Sequence, residues 1–200
     1  MKRELLVLSA GLALAVAGGM SGCGGSEERR AGGESSADAA PDVAVIEVGD
    51  APSSVAVGAG AVWVANFNDD DVVRVDPLSG KATAKIPVGN GPFSVAVGEG
   101  AVWVANQFDD AVVRIDPGTN RVGKSIPVGD RPLAVAVGEG AVWVFNSIAG
   151  TVARIDPRTG KVVSTSPPVV ERSGTPDYTG LAVAAGSGWV SSPSAGTVVR

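Results

Sequence analysis

Short runs rich in valine alternate with clusters of glycine, proline, asparagine and aspartate from residue 43 onward. The runs SVAVG, AVWVAN, VVRIDP and KSIPVG each have the composition of a β-strand of about six residues, and the polar clusters between them predict tight turns. No window has the period of an amphipathic helix. The pattern therefore predicts an all-β chain of short antiparallel strands.

This strand pattern repeats about every 40 residues, as the positions of Trp63, Trp103 and Trp143 show. Four short strands in each period match one blade of a β-propeller. The predicted blades cover residues 52–89, 92–129, 132–169 and, incompletely, 178–200.

The two ends of the repeat region allow either a closed ring or a partial propeller. Residues 43–48, VAVIEV, have the pattern of the fourth strand of a blade. They could pair with residues 178–200 and close a four-bladed ring. We favour instead a partial propeller with about four visible blades, which would expose the apolar face of one blade and promote association.

The regularly spaced residues of the repeat have structural explanations. Asp76, Asp116 and Asp156 each precede a turn, where an aspartate side chain caps the turn; a catalytic acid is the alternative. Each Gly-x-Gly pair is followed by a strand, which favours a hairpin over a phosphate-binding loop. The tryptophans are flanked by valines, which favours packing between blades over lining of a binding channel.

The N-terminal residues predict targeting rather than fold. Lys2 and Arg3 precede LLVLSAGLALAVAGG, an apolar run typical of a signal peptide. MSGC then leads to Cys23, the only cysteine, and resembles the lipobox of bacterial lipoproteins. We predict a signal peptide at residues 1–22 and a lipidated Cys23 with a flexible tether over residues 23–42; an ordinary secreted protein is the alternative. The predicted location is extracytoplasmic, anchored by lipid to the bacterial cell membrane.

The charge of the chain limits its partners. The net charge is −5, and no basic stripe interleaved with aromatic residues is present in the sequence. Because such a chain repels a polyphosphate, we expect no nucleic-acid partner.

Residues 43–200 carry a resemblance to known repeats. The series VWVAN, VVRIDP, a Thr-Gly turn, IPVG and VAVGEG resembles the repeat of bacterial YVTN-type β-propellers. The series W…RIDPxTG is also similar to virginiamycin B lyase-type propellers. The first resemblance implies recognition outside the cytoplasm without a shared catalytic site. The second implies a histidine general base and a bound magnesium ion, whereas this chain contains no histidine.

Candidate ligand-binding residues lie where second and third strands join, where blades connect, and in the insertion VVERSGTPDYTG before the fourth tryptophan. These candidates are Asn66, Asp69, Asp70, Asn106, Asp109, Asn146, Arg172, Asp177 and Tyr178. Each group also has a simpler interpretation: capping of the hairpin backbone by the asparagines, a solvated acidic rim for the aspartates, and a neutral insertion for the last three.

The sequence favours a binding protein over an enzyme. Without histidine, no Ser-His-Asp or Cys-His set can be assembled. We predict a membrane-anchored β-propeller scaffold that presents its loops to a protein, peptide or glycan ligand, with no cofactor and no metal. The alternative is a virginiamycin B lyase-like or other propeller enzyme whose catalytic residues lie beyond residue 200.

Overall fold

The computed structural model describes residues 43–170, 180–193 and 195–200. The predicted signal peptide, Cys23, the tether and the candidates Arg172, Asp177 and Tyr178 lie outside these residues. The described chain forms four antiparallel sheets in sequence order, which are the blades of a β-propeller. This confirms the predicted all-β propeller fold.

Fifteen strands make up the four blades, and each blade is a simple up-and-down meander. Blade 1 consists of β1 (Pro52–Gly58), β2 (Ala61–Asn66), β3 (Asp71–Val75) and β4 (Ala82–Pro87). Blade 2 consists of β5 (Pro92–Gly98), β6 (Ala101–Asn106), β7 (Ala111–Ile115) and β8 (Ile126–Pro127). Blade 3 consists of β9 (Pro132–Gly138), β10 (Ala141–Asn146), β11 (Thr151–Asp156) and β12 (Lys161–Thr165). Blade 4 consists of β13 (Leu181–Ala184), β14 (Ser187–Ser192) and β15 (Thr197–Val199).

The turns form where the sequence predicts them, because residues that tolerate a left-handed backbone occupy the turn positions. Gly80, Asn120 and Gly160 have φ angles of 65°, 58° and 64°. In the first of these turns, the Asp76 carboxylate accepts hydrogen bonds from the backbone N–H groups of Leu78 and Ser79, both at 2.8 Å. The aspartates of these turns therefore act as caps.

The core lies between neighbouring blades. The side chains of Trp63, Val72 and Ile86 of blade 1 belong to one buried cluster with Val95 and Val104 of blade 2. Blades 2 and 3 repeat this cluster 40 residues later. The first strands of successive blades are also in contact, and the Val95 N–H donates to Ser54 Oγ at 3.1 Å. Burial of each large apolar side chain stabilises the fold by about 1.5–3 kcal/mol.

Each tryptophan is fixed by its own hairpin. The Trp63 Nε1–H donates to the carbonyl of Gly58 at 3.1 Å, and the same bond recurs in the other three blades. Trp63 and Trp103 are fully buried. The prediction that the tryptophans pack between blades therefore holds for these two, whereas Trp143 and Trp189 are half-buried.

The first blade exposes an apolar face. Val55 on β1 is 61% exposed, whereas Val95 at the equivalent position of blade 2 is 5% exposed. The reason is that blade 1 covers Val95, and no blade covers Val55 within the described residues. Residues 43–48 are extended, and Ile46 contacts the turn at Gly80, but they pair with no strand of the described chain.

Blade 2 departs from the predicted four strands of about six residues, because β8 contains two residues only. Lys124 takes the place of Ala84, which packs against the core in blade 1. A lysine in that position would bury an unpaired charge. The ladder is therefore interrupted at residues 124 and 125, after an isolated bridge between Ile115 and Val122 and a hydrogen bond from the Gly123 N–H to the Arg114 carbonyl at 2.7 Å. The described residues contain no helix, and accordingly none that is long and apolar enough to cross a membrane.

Candidate functional site

The loop end of the propeller comprises the loops between second and third strands and the connections between blades. The loops are residues 67–70, 107–110 and 147–150, and the connections are residues 49–51, 89–91 and 129–131. Backbone hydrogen bonds join each loop to the connection that enters its own blade. The Phe67 N–H donates to the carbonyl of Ala51 at 3.0 Å, and the Gln107 N–H donates to that of Gly91 at 2.9 Å.

The candidate asparagines hold these connections in place. Asn66, Asn106 and Asn146 are buried at the ends of the second strands. Each Nδ2 donates to the carbonyl that precedes the connection into its blade. The acceptors are Val48, Val88 and Val128, at 2.8, 2.7 and 2.8 Å. We expected the asparagines to cap their own hairpins. The amides reach the carbonyl of the preceding segment, because the connection returns over the end of the second strand. Two of them also bond across their own hairpin, Asn66 to Asp71 Oδ1 at 2.9 Å and Asn146 to Thr151 Oγ1 at 3.3 Å.

A glycine completes this contact. Gly89 follows Val88 with φ +125°, and a Cβ atom there would collide with Asn106 Nδ2 and Asp109 Oδ2. We call the contact between the asparagine amide, the preceding carbonyl and this glycine the asparagine latch. The three asparagine Oδ1 atoms are buried and have no hydrogen-bond partner among the described residues. The latch therefore uses the donor of the amide and leaves its acceptor unused.

The candidate aspartates form two bridges between connections. Asp69 Oδ2 accepts from the Asp50 N–H at 3.2 Å, and Asp70 Oδ1 accepts from the Gly91 N–H at 2.8 Å. In blade 2, Asp109 accepts from the backbone of Asn90 and Asp110 from that of Arg131, both at 2.8 Å. The first aspartate of each pair holds the connection before its blade, and the second holds the connection after it. The acidic rim thus organises the backbone of the loop end.

One lysine balances the acidic residues of blade 1. Lys85 Nζ lies 3.1 Å from Asp69 Oδ2 and 3.0 Å from Asp71 Oδ2, and the Asp71 side chain is buried. The hydrogen bond from Lys85 and the N–H of Asp50 lower the pKa of Asp69, although the partial burial of Asp69 opposes them. Asp71 and Asp69 raise the pKa of Lys85. These carboxylates are therefore already compensated by the protein.

Blade 3 lacks the aspartate bridge. Ala149 and Gly150 occupy the positions of the two aspartates, and the connection that follows runs from Val169 to Gly180. The Gly150 carbonyl accepts from the Val169 N–H at 2.8 Å. The bridge is therefore absent where the connection is longest, and Arg172, Asp177 and Tyr178 belong to that connection.

An aromatic cluster at the loop end was not predicted. The Phe67 ring meets Phe93 edge-on at 6.1 Å between centroids and meets Phe108 at 5.4 Å. Phe108 is 59% exposed. Gly91, at φ +61°, supports the cluster, since a Cβ atom there would lie 2.7 Å from Phe108 Cδ2. The signal in the sequence is the departure from the repeat: the positions of Phe67 and Phe108 carry glutamine and asparagine in the neighbouring blade.

The loop end combines exposed aromatic rings with polar side chains. An exposed aromatic cluster lies beside hydrogen-bonded carboxylates and amides, and aromatic side chains of this kind anchor ligands at interfaces. Among the described residues, no group of three or more histidine, cysteine, aspartate or glutamate side chains is placed to hold a metal ion.

Comparisons with known proteins show the fold. No protein-family model and no curated protein matches the chain. Among solved structures, hydrazine synthase of Kuenenia stuttgartiensis aligns at a TM-score of 0.59 and 18% identity, over 80% of this chain and 51% of that one. A streptogramin B lyase aligns at 0.59 and 17% identity, over 74% and 53%.

A designed protein is also similar. The computationally designed Ika4 protein aligns at a TM-score of 0.60 and 16% identity, over 75% of this chain and 89% of that one. The chain thus spans about half the length of the two natural structures and most of the designed one. At these identities the similarity extends to the β-propeller fold and not to activity.

Proposed function

We propose that this protein is a lipid-anchored, extracytoplasmic β-propeller that binds a protein, peptide or glycan ligand at its loop end. The propeller supplies a rigid platform, and the predicted tether after Cys23 lets that platform stand away from the membrane. The ligand contacts the loop end directly, and no bond in it is made or broken.

The observation that supports this proposal best is the cluster of Phe67, Phe93 and Phe108. Exposed aromatic side chains are costly in water, and Phe108 keeps more than half of its surface in solvent. Aromatic rings at the centre of an interface, surrounded by polar groups, contribute most of the binding free energy in many complexes. Asn90 and Asp109 supply such polar groups beside the cluster.

Photo-crosslinking in cells tests the ligand-binding end. A benzoylphenylalanine residue at position 108 is expected to crosslink to a ligand, whereas the same residue at position 78 is the matched control. Leu78 is 96% exposed and lies in a turn at the opposite end of blade 1. The Phe67→Ser substitution in the position-108 protein is expected to reduce the crosslink severalfold. Equal crosslinks from both positions would contradict the proposal.

Two further measurements test the remaining parts of the proposal. Cys23→Ser is expected to move the protein from the membrane fraction to the soluble fraction, because it removes the only thiol that could carry lipid. Deletion of residues 171–179 is expected to weaken the crosslink at position 108 if the insertion takes part in binding.

Metal-dependent turnover of a streptogramin by the 200-residue chain would instead favour the lyase-like alternative.

A further inference from the structure

A cavity at the opposite end of the propeller lies between blades 2 and 3. We call it the basic cavity; its volume is about 630 Å³, within the usual range of small-molecule sites. Four cations and one carboxylate contribute to its lining. These residues are Arg114, Lys124, Arg158, Lys161 and Glu99. A concentration of positive charge here is unexpected on a chain whose net charge is −5.

The cavity exists because blade 2 lacks most of its fourth strand. In blade 1 the strand β4 begins at Ala82 and pairs with the full length of β3. In blade 2 residues 124 and 125 leave the ladder, so that Lys124 and Ser125 are exposed beside the turn of blade 3. The gap therefore has a local cause in the sequence, which is the lysine at the position of Ala84.

Arg114 differs from the other arginines at its position of the repeat. The guanidinium groups of Arg74, Arg154 and Arg200 lie 5.3, 5.6 and 5.5 Å from the rings of the tryptophans on the adjacent strands. Arg114 pairs with Trp103 in the ladder but makes no such contact within the described chain. Its Nε is buried and has no hydrogen-bond partner there, a property that it shares with Arg154 Nε.

The neighbouring turn of blade 3 lacks one of the two acceptors that the turn of blade 2 offers to Arg74. Arg74 Nη1 donates to the Pro117 carbonyl at 3.1 Å and to Asn120 Oδ1 at 3.2 Å in blade 2. The residues of blade 3 at these two positions are Pro157 and Gly160, and both line the basic cavity. Gly160 has no side-chain acceptor. Among the described residues, Arg74 therefore faces the Asn120 side chain, whereas Arg114 faces the basic cavity at the equivalent place.

We propose that the basic cavity binds a small phosphate ester, with the phosphate oxygens accepting hydrogen bonds from Arg114 and Lys124. Arginine presents a planar set of donors that matches the oxygens of phosphate, and lysine adds a point charge. The Ser125 and Thr159 hydroxyls, which also line the cavity, can bind the polar remainder of the ester. This site is independent of the ligand proposed for the loop end.

The decisive variant is Gly160→Asn, because it gives Arg114 the acceptor that Asn120 gives Arg74 and leaves the net charge unchanged. Asn120 already adopts the same left-handed backbone, with φ 58° against 64° for Gly160. A Cβ atom at Gly160 meets only Ile126 at 3.6 Å, so the variant is expected to fold. The matched control is Gly80→Asn in the corresponding turn of blade 1, where φ is 65°.

Isothermal titration with glucose 6-phosphate at low salt provides the measurement. Wild type and Gly80→Asn are expected to bind alike, whereas Gly160→Asn weakens binding about tenfold, as expected for loss of a charged hydrogen bond. Lys124→Ala is expected to weaken it similarly, and Lys81→Ala, which removes an exposed lysine from blade 1, has little effect. Circular dichroism of each variant verifies the fold.

Three further probes identify the source of the phosphate. Glucose is expected not to bind, and inorganic phosphate to bind more weakly than the ester. Vesicles of phosphatidylcholine with one quarter phosphatidylglycerol present the same phosphate chemistry as a lipid headgroup. If wild type binds these vesicles and Gly160→Asn does not, the result would support the site and identify a lipid headgroup as the source of the phosphate. Equal affinity of all four variants and wild type for every phosphate probe, or no binding of any probe by wild type, would overturn the proposal.

Discussion

At the loop end, recurring amides and carboxylates bond to the backbone that joins neighbouring blades. At the turn end between blades 2 and 3, by contrast, the recurring arginine has no hydrogen-bond acceptor for its buried Nε. Asn106 and Asp109 at the loop end are tied to Val88 and Asn90. Arg114 Nε at the turn end is buried and has no hydrogen-bond partner among the described residues.

The comparison separates two kinds of polar residue in a repeat protein. Residues that recur from blade to blade make contacts that the fold needs, and they hold neighbouring blades together. Residues that interrupt the recurrence, such as Phe108 at the loop end and Lys124 at the turn end, leave surface or cavity that the fold does not use. We therefore look for recognition at the interruptions.

The largest effect is expected from a glycine of the latch. Gly89→Ala introduces a Cβ atom that collides with Asn106 and Asp109 at φ +125°, and is expected to lower the free energy of unfolding by about 3 kcal/mol. Gly100→Ala at the turn end, with φ +73° and nothing within 4 Å, is expected to cost only about 1 kcal/mol. Urea unfolding followed by tryptophan fluorescence measures both. Equal losses would remove the distinction between the two ends.

A smaller effect is expected from the amide of the latch. Asn106→Ala leaves the buried Val88 carbonyl without its donor and is expected to cost about 2 kcal/mol. Asn68→Ala provides the control, because its amide is exposed and its bond to Asp50 is 3.2 Å long; a change within about 0.5 kcal/mol is expected. Chemical unfolding of the pair measures the difference, and a neutral Asn106→Ala would show that the latch is dispensable.

The arginines at the turn end are expected to differ from each other. Arg74→Met removes two hydrogen bonds and a contact with Trp63, and is expected to cost about 1 kcal/mol. Arg114→Met removes no described hydrogen bond, so a change within about 0.5 kcal/mol is expected. The melting temperatures of the two variants measure the difference. A larger loss of stability for Arg114→Met than for Arg74→Met would show that Arg114 makes a stabilising contact outside the described residues.

The smallest effect concerns the turn aspartates. Backbone N–H groups of Ser79, Thr119 and Arg158 lower the pKa values of Asp76, Asp116 and Asp156 below the ordinary value of 3.8. A carboxyl whose pKa is lower in the folded state stabilises the protein above its unfolded pKa. That contribution is lost as the pH falls from about 4 through the folded values.

Acid titration of the thermal unfolding midpoint checks this prediction. The triple variant Asp76→Asn, Asp116→Asn, Asp156→Asn is expected to lose less stability below pH 4 than wild type. The three substitutions leave the ion pair of Asp69 and Lys85 at the loop end in place, so its contribution to the acid sensitivity is the same in the variant and in wild type. Parallel curves for variant and wild type would show that the turn carboxylates carry no acid sensitivity.

The sequence predicts the blades well because their determinants are local. Valine-rich runs, Gly-x-Gly hairpins and aspartate caps each act over a few residues, and the strands form where these signals place them. The short β8 has a visible cause as well, since Lys124 breaks a pattern that Ala84 keeps. Comparison of equivalent positions between the repeats therefore predicts the strands better than the sequence of any single repeat does.

The site could be predicted only in part, because its contacts join different blades. The repeat places Asn106 at the loop end, but its bond to Val88 depends on how the connection folds back across it. The cluster of Phe67, Phe93 and Phe108 likewise needs two blades at their correct separation. The cavity beside Arg114 is likewise lined by residues of two blades, Gly160 of blade 3 among them.

A double-mutant cycle between Gly89→Ala and Asn106→Ala tests the central claim most directly, which is that the recurring polar groups of the loop end serve the fold. Removing the amide also removes one of the two side chains with which the new Cβ collides, while the clash with Asp109 Oδ2 remains. Gly89→Ala is therefore expected to cost at least about 1 kcal/mol less in the Asn106→Ala background than in wild type. Additive losses, with no coupling between the two positions, would contradict the claim.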